Sequence, residues 1–339
     1  MKSILLVRLS AMGDLVHAVG AVAALHEAVP HARLTFVTQA PFAPLLRGLP
    51  GLSRVVAFRR DGGLGAVREL RAELRTDRFD VALDLQGNWK SAATTWLSGA
   101  RLRLGAAGAA RQEALSRWWL HRAVPIGGAP HPARVAWELV RQIAPDAPFR
   151  LPRLEAAGDE LAAERAALAS VGIDATQPFR VVVVTDPHDP RALRPAVVAR
   201  LLREPGPPWL QVFGPAESHL AAAPGAALRH GRGEVRRLIA LGALVAATGG
   251  QVVGPDQGAT HVLAAAGADC LVAFGAQDPR RTAPPAARAI VHPAPPACMP
   301  CRSRSCRHPQ GPVCMDFAPA SGRAVPVGLP SPDRESAPP

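Results

Sequence analysis

Short apolar runs alternate with helix-like segments along most of this chain, and the alternation starts again after a proline-rich interval. In the first half the pattern predicts strands at residues 4–8, 33–38, 55–58 and 81–84, and helices at 15–29, 64–76 and 90–97. In the second half it predicts strands at 181–184, 210–213, 251–253 and 270–274, and helices at 195–203, 235–246 and 260–266. Such alternation is typical of βαβ units and parallel sheets, so we expect an α/β fold.

The interval at residues 144–156 contains three prolines and is the best candidate for a linker. We therefore predict one Rossmann-like domain over residues 1–150 and a second over 151–317, which 339 residues can accommodate. Residues 318–339 are rich in Pro, Gly and Ser, and we expect a flexible tail there. Two such domains should place a ligand between them, at the carboxyl ends of the strands.

Composition excludes several classes of protein. Hydrophobic residues make up 48% and charged residues 19%, which is enough to bury a core and rules out global disorder. Aromatic residues are only 4% and Tyr is absent, which argues against aromatic-rich barrels and propellers. The apolar run at residues 4–7 is far shorter than a signal sequence, and no run approaches the ~18 residues of a membrane span. We expect a cytoplasmic chain, with peripheral membrane association left open.

The formal charge of +12 first suggests nucleic acid or an anionic membrane as a partner. Arg supplies almost all of the positive charge, which a GC-rich genome would also favour. Residues 1–150 carry 20 basic and 11 acidic side chains, whereas the remainder carries 19 and 16. No block of five or six basic residues and no RNA-binding aromatic motif occurs, so nucleic acid is not expected. The excess in the first half favours an anionic membrane surface instead.

The loop after the first predicted strand leads directly into a helix and ends at Asp14. Gly13 permits a tight turn there, and the start of a helix offers unpaired N–H groups. Asp14 is either an ordinary helix N-cap or a functional carboxylate at a strand end. His17 lies one helical turn further on, where it could orient Asp14 or contact an anionic ligand.

Two turns in the second half are candidates for binding a nucleotide. Glu217 follows a predicted strand and could accept hydrogen bonds from a ribose diol, or it is a solvated loop residue. The turn at residues 254–261 precedes an Ala-rich helix, a geometry in which backbone N–H groups hold phosphates. A plain turn in which Asp256 caps the helix is the alternative.

Four cysteines lie close together near the C-terminus: Cys298, Cys301, Cys306 and Cys314. In a reducing compartment this spacing indicates free thiols or a structural Zn²⁺ site that would hold a proline-rich loop together. A zinc-stabilised regulatory protein is one hypothesis that follows. We interpret the cysteine cluster as structural and not catalytic.

Four segments, taken in order, resemble a known family. Residues 4–17 read ILLVRLSAMGDLVH and residues 84–91 read DLQGNWKS, similar to the motif D-x-Q-G-x-x-K-S. Residues 255–258 read PDQG and are followed by His261 and three alanines, similar to D-T-G-x-x-H-x-A-A-A; residues 274–279 resemble F-G-x-T-x-P. The chain thus resembles glycosyltransferase family 9, the bacterial lipopolysaccharide heptosyltransferases.

The resemblance implies a GT-B fold in which the first domain binds a glycolipid acceptor and the second binds a nucleotide-sugar donor across a cleft. It implies inverting, metal-independent transfer of a heptose from an ADP-sugar, with Asp14 as the general base. The implied acceptor residues are His17, Gln86 and Lys90. The implied donor residues are Gly13, Arg191, Arg194, Glu217, Asp256, Gln257, Gly258 and His261.

One family motif is absent. The family has P-G-x-x-x-x-x-K-x-W-P after the first strand of the second domain, and its lysine is linked to the donor phosphates. Residues 185–195 read TDPHDPRALRP instead, and Gln257 replaces a threonine. Arg191 or Arg194 could replace the lysine, although Asp186 and Asp189 add negative charge. A second hypothesis follows, in which a degenerate member binds a nucleotide sugar or a partner without transferring a sugar.

Overall fold

The computed structural model describes residues 2–127, 131–231, 233–327 and residue 329. Within this part the chain forms two compact units, one from the N-terminus to Pro152 together with Leu329, the other from Arg153. The division falls two residues after the boundary that the proline-rich interval predicts. Each unit has its own sheet and its own core.

The first unit is built from six strands and four α-helices. They are β1 Ser3–Val7, α1 Met12–Ala28, β2 Arg33–Gln39, β3 Leu52–Phe58, α2 Gly63–Arg75, β4 Val81–Asp84, α3 Trp89–Leu97, β5 Leu102–Ala106, β6 Arg122–Val124 and α4 Pro132–Arg141. The strands pair in parallel in the order β3-β2-β1-β4-β5-β6. This is the doubly wound Rossmann order, whose direction reverses between β1 and β4.

Burial explains why β1 forms the centre of this sheet. Its five residues, Ser3–Val7, are all buried, as expected for a strand covered on both faces by helices. Helix α1 packs closely against the chain that follows α4. A Cβ on Gly20 would lie 2.1 Å from the carbonyl oxygen of Arg150, so the absence of a side chain at Gly20 permits this contact.

The second unit repeats the same plan. Its elements are α5 Gly158–Ser170, β7 Arg180–Val184, α6 Pro195–Leu201, β8 Trp209–Phe213, β9 Ala226–Arg229, α7 Val235–Ala247, β10 Gln251–Pro255, α8 Gly258–Ala265, β11 Asp269–Phe274, α9 Pro279–Thr282, β12 Arg288–Val291 and β13 Arg323–Val325. Its strand order is β9-β8-β7-β10-β11-β12-β13, parallel except for β13. The direction of winding reverses between β7 and β10.

The expectation of a flexible tail from residue 318 is wrong for part of that segment. β13 pairs antiparallel with β12, and Pro319 is buried just before it. Leu329 packs against a cluster of Ala133, Trp137 and Phe149 in the first unit. Backbone pairing and apolar burial order these residues in spite of their composition. The rest of the expected tail lies outside the described residues.

None of the helices in the described part of the chain combines the length and apolarity needed to span a bilayer.

Candidate active site

Asp14 lies at the carboxyl end of β1, beside the point where the winding of the first sheet reverses. It occupies the first turn of α1, whose N-cap is Ala11, so the interpretation of Asp14 as an N-cap is wrong. Its carboxylate forms an ion pair with Arg8, which is buried, while the Asp14 side chain remains 29% exposed. Gly13 precedes Asp14 within the same turn.

Gln86 connects the loops that follow β1 and β4. Its side-chain oxygen accepts hydrogen bonds from the backbone N–H groups of Leu9 at 2.8 Å and Ser10 at 3.4 Å. Below it, Asp84 is fully buried and paired with Arg111 at 3.1 Å. Because the Gln86 amide is engaged in this way, it shapes the loop that carries Asp14; its expected contact with an acceptor has no direct counterpart here.

The other two predicted acceptor residues differ in accessibility. The His17 ring is 1% exposed and packs edge-to-face against His131 at 4.6 Å, so an acceptor would not reach it in this conformation. Lys90 is exposed at the start of α3. Of the two, only Lys90 offers its charge to a ligand in solution.

In the second unit, Asp256 and His261 lie where β10 ends and α8 begins. The Asp256 carboxylate contacts His261 Nε2 at 2.9 Å and accepts a hydrogen bond from the Thr282 hydroxyl at 3.0 Å. The N-cap of α8 is Gln257, so the interpretation of Asp256 as a helix cap is also wrong. Gly258 opens the eight-residue helix, where backbone N–H groups are free of intrahelical partners.

Arg191 is held by Asp189 in a two-pronged ion pair. Nη2 lies 2.6 Å and Nε lies 3.0 Å from the Asp189 oxygens, and Gln257 donates to the same carboxylate at 2.8 Å. Burial of Asp189 opposes its charge, but the hydrogen bonds from Arg191 hold its pKa below the ordinary value. The positive charge of Arg191 is therefore balanced by the Asp189 carboxylate. Arg194 is half-buried at the start of α6, its guanidinium within 3.5 Å of the Pro187 carbonyl.

Glu217 lies in a short 3-10 helix, Pro215–Glu217, directly after β8. Burial raises the pKa of its carboxyl group, with the backbone N–H groups around it acting in the opposite direction. The side chain is half-buried. Its carboxyl oxygens can accept hydrogen bonds from a ligand.

The four clustered cysteines line one cavity of about 570 Å³ in the second unit, together with His308 and several prolines. All four are free thiols; Cys298, Cys301 and Cys306 are exposed and Cys314 is buried. Burial, with the neighbouring thiols, raises the pKa of Cys314 to about 11. Among the residues described, no group of three or more His, Cys, Asp and Glu is arranged to hold a metal ion. The thiols have suitable chemistry for Zn²⁺, but their arrangement does not fit a bound ion.

Three residues of these sites were not singled out from the sequence. Arg8 was quoted only within a motif, although an arginine directly before a strand-end loop is a recognisable signal. Arg111 lies 27 residues from its partner Asp84, and Thr282 lies 26 residues from Asp256. Pairings of this kind are set by tertiary structure, which local spacing does not report.

The chain was compared with known families and proteins. The sequence profile of glycosyltransferase family 9 (heptosyltransferase) matches residues 67–181 and 236–310, more than half of the chain. The lipopolysaccharide core heptosyltransferase OpsX of Haemophilus influenzae is 27% identical over 104 residues, an alignment covering 31% of this chain and 30% of that relative.

Two solved structures share the fold over most of the chain. A family 9 glycosyl transferase from Veillonella parvula has a TM-score of 0.73 at 16% identity and covers 85% of both chains. The E. coli ADP-heptose lps heptosyltransferase II has a TM-score of 0.71 at 20% identity, covering 95% of this chain and 96% of that one. The fold is thus the GT-B fold with two Rossmann-like domains. The strand-end sites described above therefore lie in a chain that belongs to glycosyltransferase family 9, the heptosyltransferase family.

Proposed function

We propose that this chain transfers a heptose from an ADP-activated donor to a hydroxyl of a lipopolysaccharide core or a related envelope glycolipid. The observation that carries the proposal is Asp14, a partly exposed carboxylate held by Arg8 at the switch point of the first sheet. Ligands of doubly wound sheets bind at such points, outside the carboxyl ends of the strands. Family membership and the name of the E. coli structure support a heptose donor carrying ADP.

In the proposed reaction the Asp14 carboxylate accepts the proton of the attacking acceptor hydroxyl. The acceptor oxygen forms a bond to the anomeric carbon, the bond from that carbon to the diphosphate oxygen breaks, and ADP leaves from the opposite face with inversion. Arg8 positions Asp14, and Gln86 fixes the two loops against each other. Lys90 is the remaining candidate for an acceptor contact.

The second unit would bind the donor. The first N–H groups of α8, at Gly258, and the Arg194 guanidinium are the groups proposed to meet the diphosphate. Glu217 would accept hydrogen bonds from the ribose. Asp256, Gln257, His261 and Arg191 form the hydrogen-bonded network that shapes this site rather than a set of free ligand groups.

A second candidate function has its own supporting observation. The Asp189 carboxylate pairs with Arg191, one of the two cations that could replace the lysine of the family motif. This pairing favours a protein that binds a nucleotide sugar weakly or without turnover. The proposed site of action for either function is the cytoplasm, at the inner face of the membrane.

Turnover distinguishes the two functions. Purified protein is incubated with ADP-heptose and a core acceptor, the product is identified by mass spectrometry, and its anomeric configuration is read by NMR. Transfer with inversion, lost in Asp14→Ala and absent with UDP-glucose, supports the transferase. Calorimetric binding of ADP without transfer from any nucleotide sugar supports the second function. Equal turnover by Asp14→Ala and the unaltered protein contradicts the role of Asp14.

A further inference from the structure

Four of the six tryptophans of the chain lie in one short stretch of the first unit, on α3 and the 3-10 helix Ala114–Trp119. We call Trp89, Trp96, Leu115, Trp118 and Trp119 the tryptophan patch. Trp89 is 42%, Trp96 is 47%, Leu115 is 64% and Trp118 is 74% exposed. The remaining two, Trp137 and Trp209, are buried. A cluster of large, solvent-exposed apolar side chains such as this one indicates an interaction surface.

The spacing of these residues creates one connected face. Trp89 and Trp96 are seven residues apart on α3, two turns on the same side. Trp119 packs edge-to-face against both, at 6.3 Å and 5.0 Å between ring centroids. In a 3-10 helix residues three apart share a side, so Leu115 and Trp118 lie together on one side of the helix Ala114–Trp119. Trp119 of the same helix connects it to the two tryptophans of α3.

Cations outnumber acids in the segment of the chain that carries the patch. Residues 89–127 contain six basic side chains and one acidic side chain, Glu113. Arg111 is buried against Asp84, but Lys90, Arg117 and Arg122 are exposed. The Arg117 guanidinium lies 5.5 Å from the centre of the Trp118 ring, within the range of a cation–π contact. The Arg117 side chain is also exposed to solvent. Glu113 accepts the backbone N–H of Trp89 at 2.6 Å, which holds this carboxylate on the backbone of α3.

We propose that the tryptophan patch docks the protein on an anionic phospholipid bilayer. Tryptophan prefers the boundary between headgroups and acyl chains, and neighbouring Lys and Arg side chains are attracted to anionic headgroups. A second copy of the chain is a poorer occupant, because a two-fold contact between two such patches would bring their cations together. The proposal concerns the lipid surface and does not rest on sugar transfer.

The experiment measures binding of the full chain to sedimented vesicles of phosphatidylcholine with and without about 30% phosphatidylglycerol, free of any saccharide lipid. We expect binding to the anionic vesicles that weakens as salt rises from about 0.1 to 0.5 M, since the Debye length shortens. Trp118→Ser should lower the partition coefficient about tenfold. Arg117→Gln should lower it about fivefold, the effect of one charge at such a surface.

Matched controls separate this patch from exposure or charge in general. Leu115→Ser is compared with Leu151→Ser, an exposed leucine beside the Arg150 that pairs with Glu27 of α1. Arg117→Gln is compared with Arg59→Gln, an exposed arginine just after β3, the strand at the opposite edge of the sheet. Only the patch variants should lose binding. Quenching of tryptophan fluorescence by brominated lipid supplies a second readout, because the exposed tryptophans all lie in the patch.

Three results would overturn the proposal. The first is equal vesicle binding by Trp118→Ser and the unaltered protein. The second is a dimer in light scattering that Trp118→Ser dissociates, with no vesicle binding. The third is capture by a single-stranded oligonucleotide without any binding to anionic vesicles.

Discussion

Asp14 and Arg8 form the charged pair on which the proposed chemistry depends. Arg8 is the first residue after β1 and is 4% exposed, while Asp14 lies in the first turn of α1 and keeps contact with solvent. A base must reach the proton that it removes, so the partner that is buried cannot be the one that acts. In the proposed reaction Asp14 is therefore the base, and Arg8 positions it.

Replacing Asp14 by Asn should lower kcat by about 10²- to 10⁴-fold, because the amide is isosteric but cannot accept the hydroxyl proton. The affinity for ADP should change less than about twofold, since the proposed nucleotide site lies in the other unit. Steady-state kinetics and calorimetry measure the two effects separately. Asp61→Asn removes an exposed carboxylate from the same unit and serves as the control. A kcat close to that of the unaltered protein would argue against Asp14 as the base.

At the scale of single residues, the sequence predicted which loop carries a candidate residue better than it predicted which side chains that residue contacts. The strand-end loops that carry Asp14, Glu217 and Asp256 follow from apolar runs that stop at polar turns. The ion pairs of Asp14 with Arg8 and of Asp189 with Arg191 require side-chain geometry. For His17 the sequence predicted a contact that the structure does not favour. This side chain is polar and close to Asp14 in sequence, but it is buried against His131.

The segment between β7 and α6 carries the altered charges of the proposed donor site. Asp189 is half-buried and binds Arg191, and Gln257 at the start of α8 donates to the same carboxylate. Asp189→Asn would keep an acceptor at one of the two oxygen positions and remove the negative charge. We expect the affinity for ADP to rise several-fold, about one kcal/mol for a like charge removed near a diphosphate. Arg194→Gln should weaken the binding by a similar factor.

Calorimetric titration with ADP checks both changes. Asp174→Asn, which alters an exposed carboxylate that caps its own loop, is the matched control. Unchanged ADP affinity in both Asp189→Asn and Arg194→Gln would place the diphosphate elsewhere.

Glu164 connects α5 to α7 through a buried charge. It is fully buried, contacts His230 at 3.4 Å and accepts a hydrogen bond from Arg237 at 2.8 Å. Burial opposes its ionisation, yet the close contact with His230 and the hydrogen bond from Arg237 hold its pKa below the ordinary 4.5. The unfolded chain therefore binds more protons in acid, and this contribution to stability is lost as pH falls through and below about 4.5.

Glu164→Gln should reduce the free energy of unfolding at pH 7 by about 1.5–3 kcal/mol, because the close contact with His230 and the charge-assisted hydrogen bond from Arg237 are weakened. It should also flatten the loss of stability between about pH 5 and pH 3. Urea unfolding at several pH values measures both effects. Glu155→Gln, whose side chain is 76% exposed, is the control and should behave like the unaltered protein. If Glu164→Gln loses stability at acid pH as steeply as the unaltered protein, another carboxylate is responsible for that loss.

The sequence predicts structural zinc in the loop at residues 298–314, whereas the described thiols are not arranged around an ion. A site that forms only when zinc binds would give about one equivalent of zinc in protein purified under reducing conditions. Cys298→Ser and Cys301→Ser should each reduce the zinc content, whereas Ser303→Ala should not. Less than half an equivalent in the unaltered protein would contradict the prediction and leave four free thiols.

Helices and strands with a clear pattern of hydrophobic residues could be predicted from the sequence, and those without such a pattern could not. Every predicted strand overlaps an observed strand, because central strands of parallel sheets read as continuous apolar runs. Five of the described strands, β5, β6, β9, β12 and β13, were not singled out from the sequence. Of these, β6 and β13 are three residues long, and β9 reads Ala-Ala-Leu-Arg. In α5 only Glu164 and Leu168 are buried, so no apolar stripe marks that helix. Helix α4 does carry such a stripe and could have been predicted.

At the scale of the whole molecule, two copies of one strand order account for the paired sites. Each unit reverses its winding beside its first strand, at β1 and β4 in one and at β7 and β10 in the other. The candidate base follows β1, and the candidate phosphate-binding turn follows β10. One fold plan used twice therefore offers two sites, one for each substrate of a transfer reaction.

Because the two candidate sites lie in different units, bound ADP should protect only one of them from hydrogen exchange. At about 100 times its Kd a ligand stabilises the state that binds it by about 2.7 kcal/mol, which slows exchange in the segments that it contacts. We expect slower exchange in peptides covering residues 185–195, 214–217 and 254–265. Peptides covering residues 3–14 and 81–91 should exchange as in the free protein.

Mass spectrometry of the full chain after timed hydrogen exchange measures this pattern. Replacing ADP by UDP at the same concentration tests whether the protein recognises the adenine ring. Arg194→Gln should reduce the ADP-dependent protection at 254–265, since the guanidinium and the start of α8 are proposed to share the diphosphate. Protection confined to the first unit would reverse the assignment of substrates to sheets. The charge of the nucleotide would then be met by the more basic half of the chain, and Asp14 would lie on the donor side of the reaction.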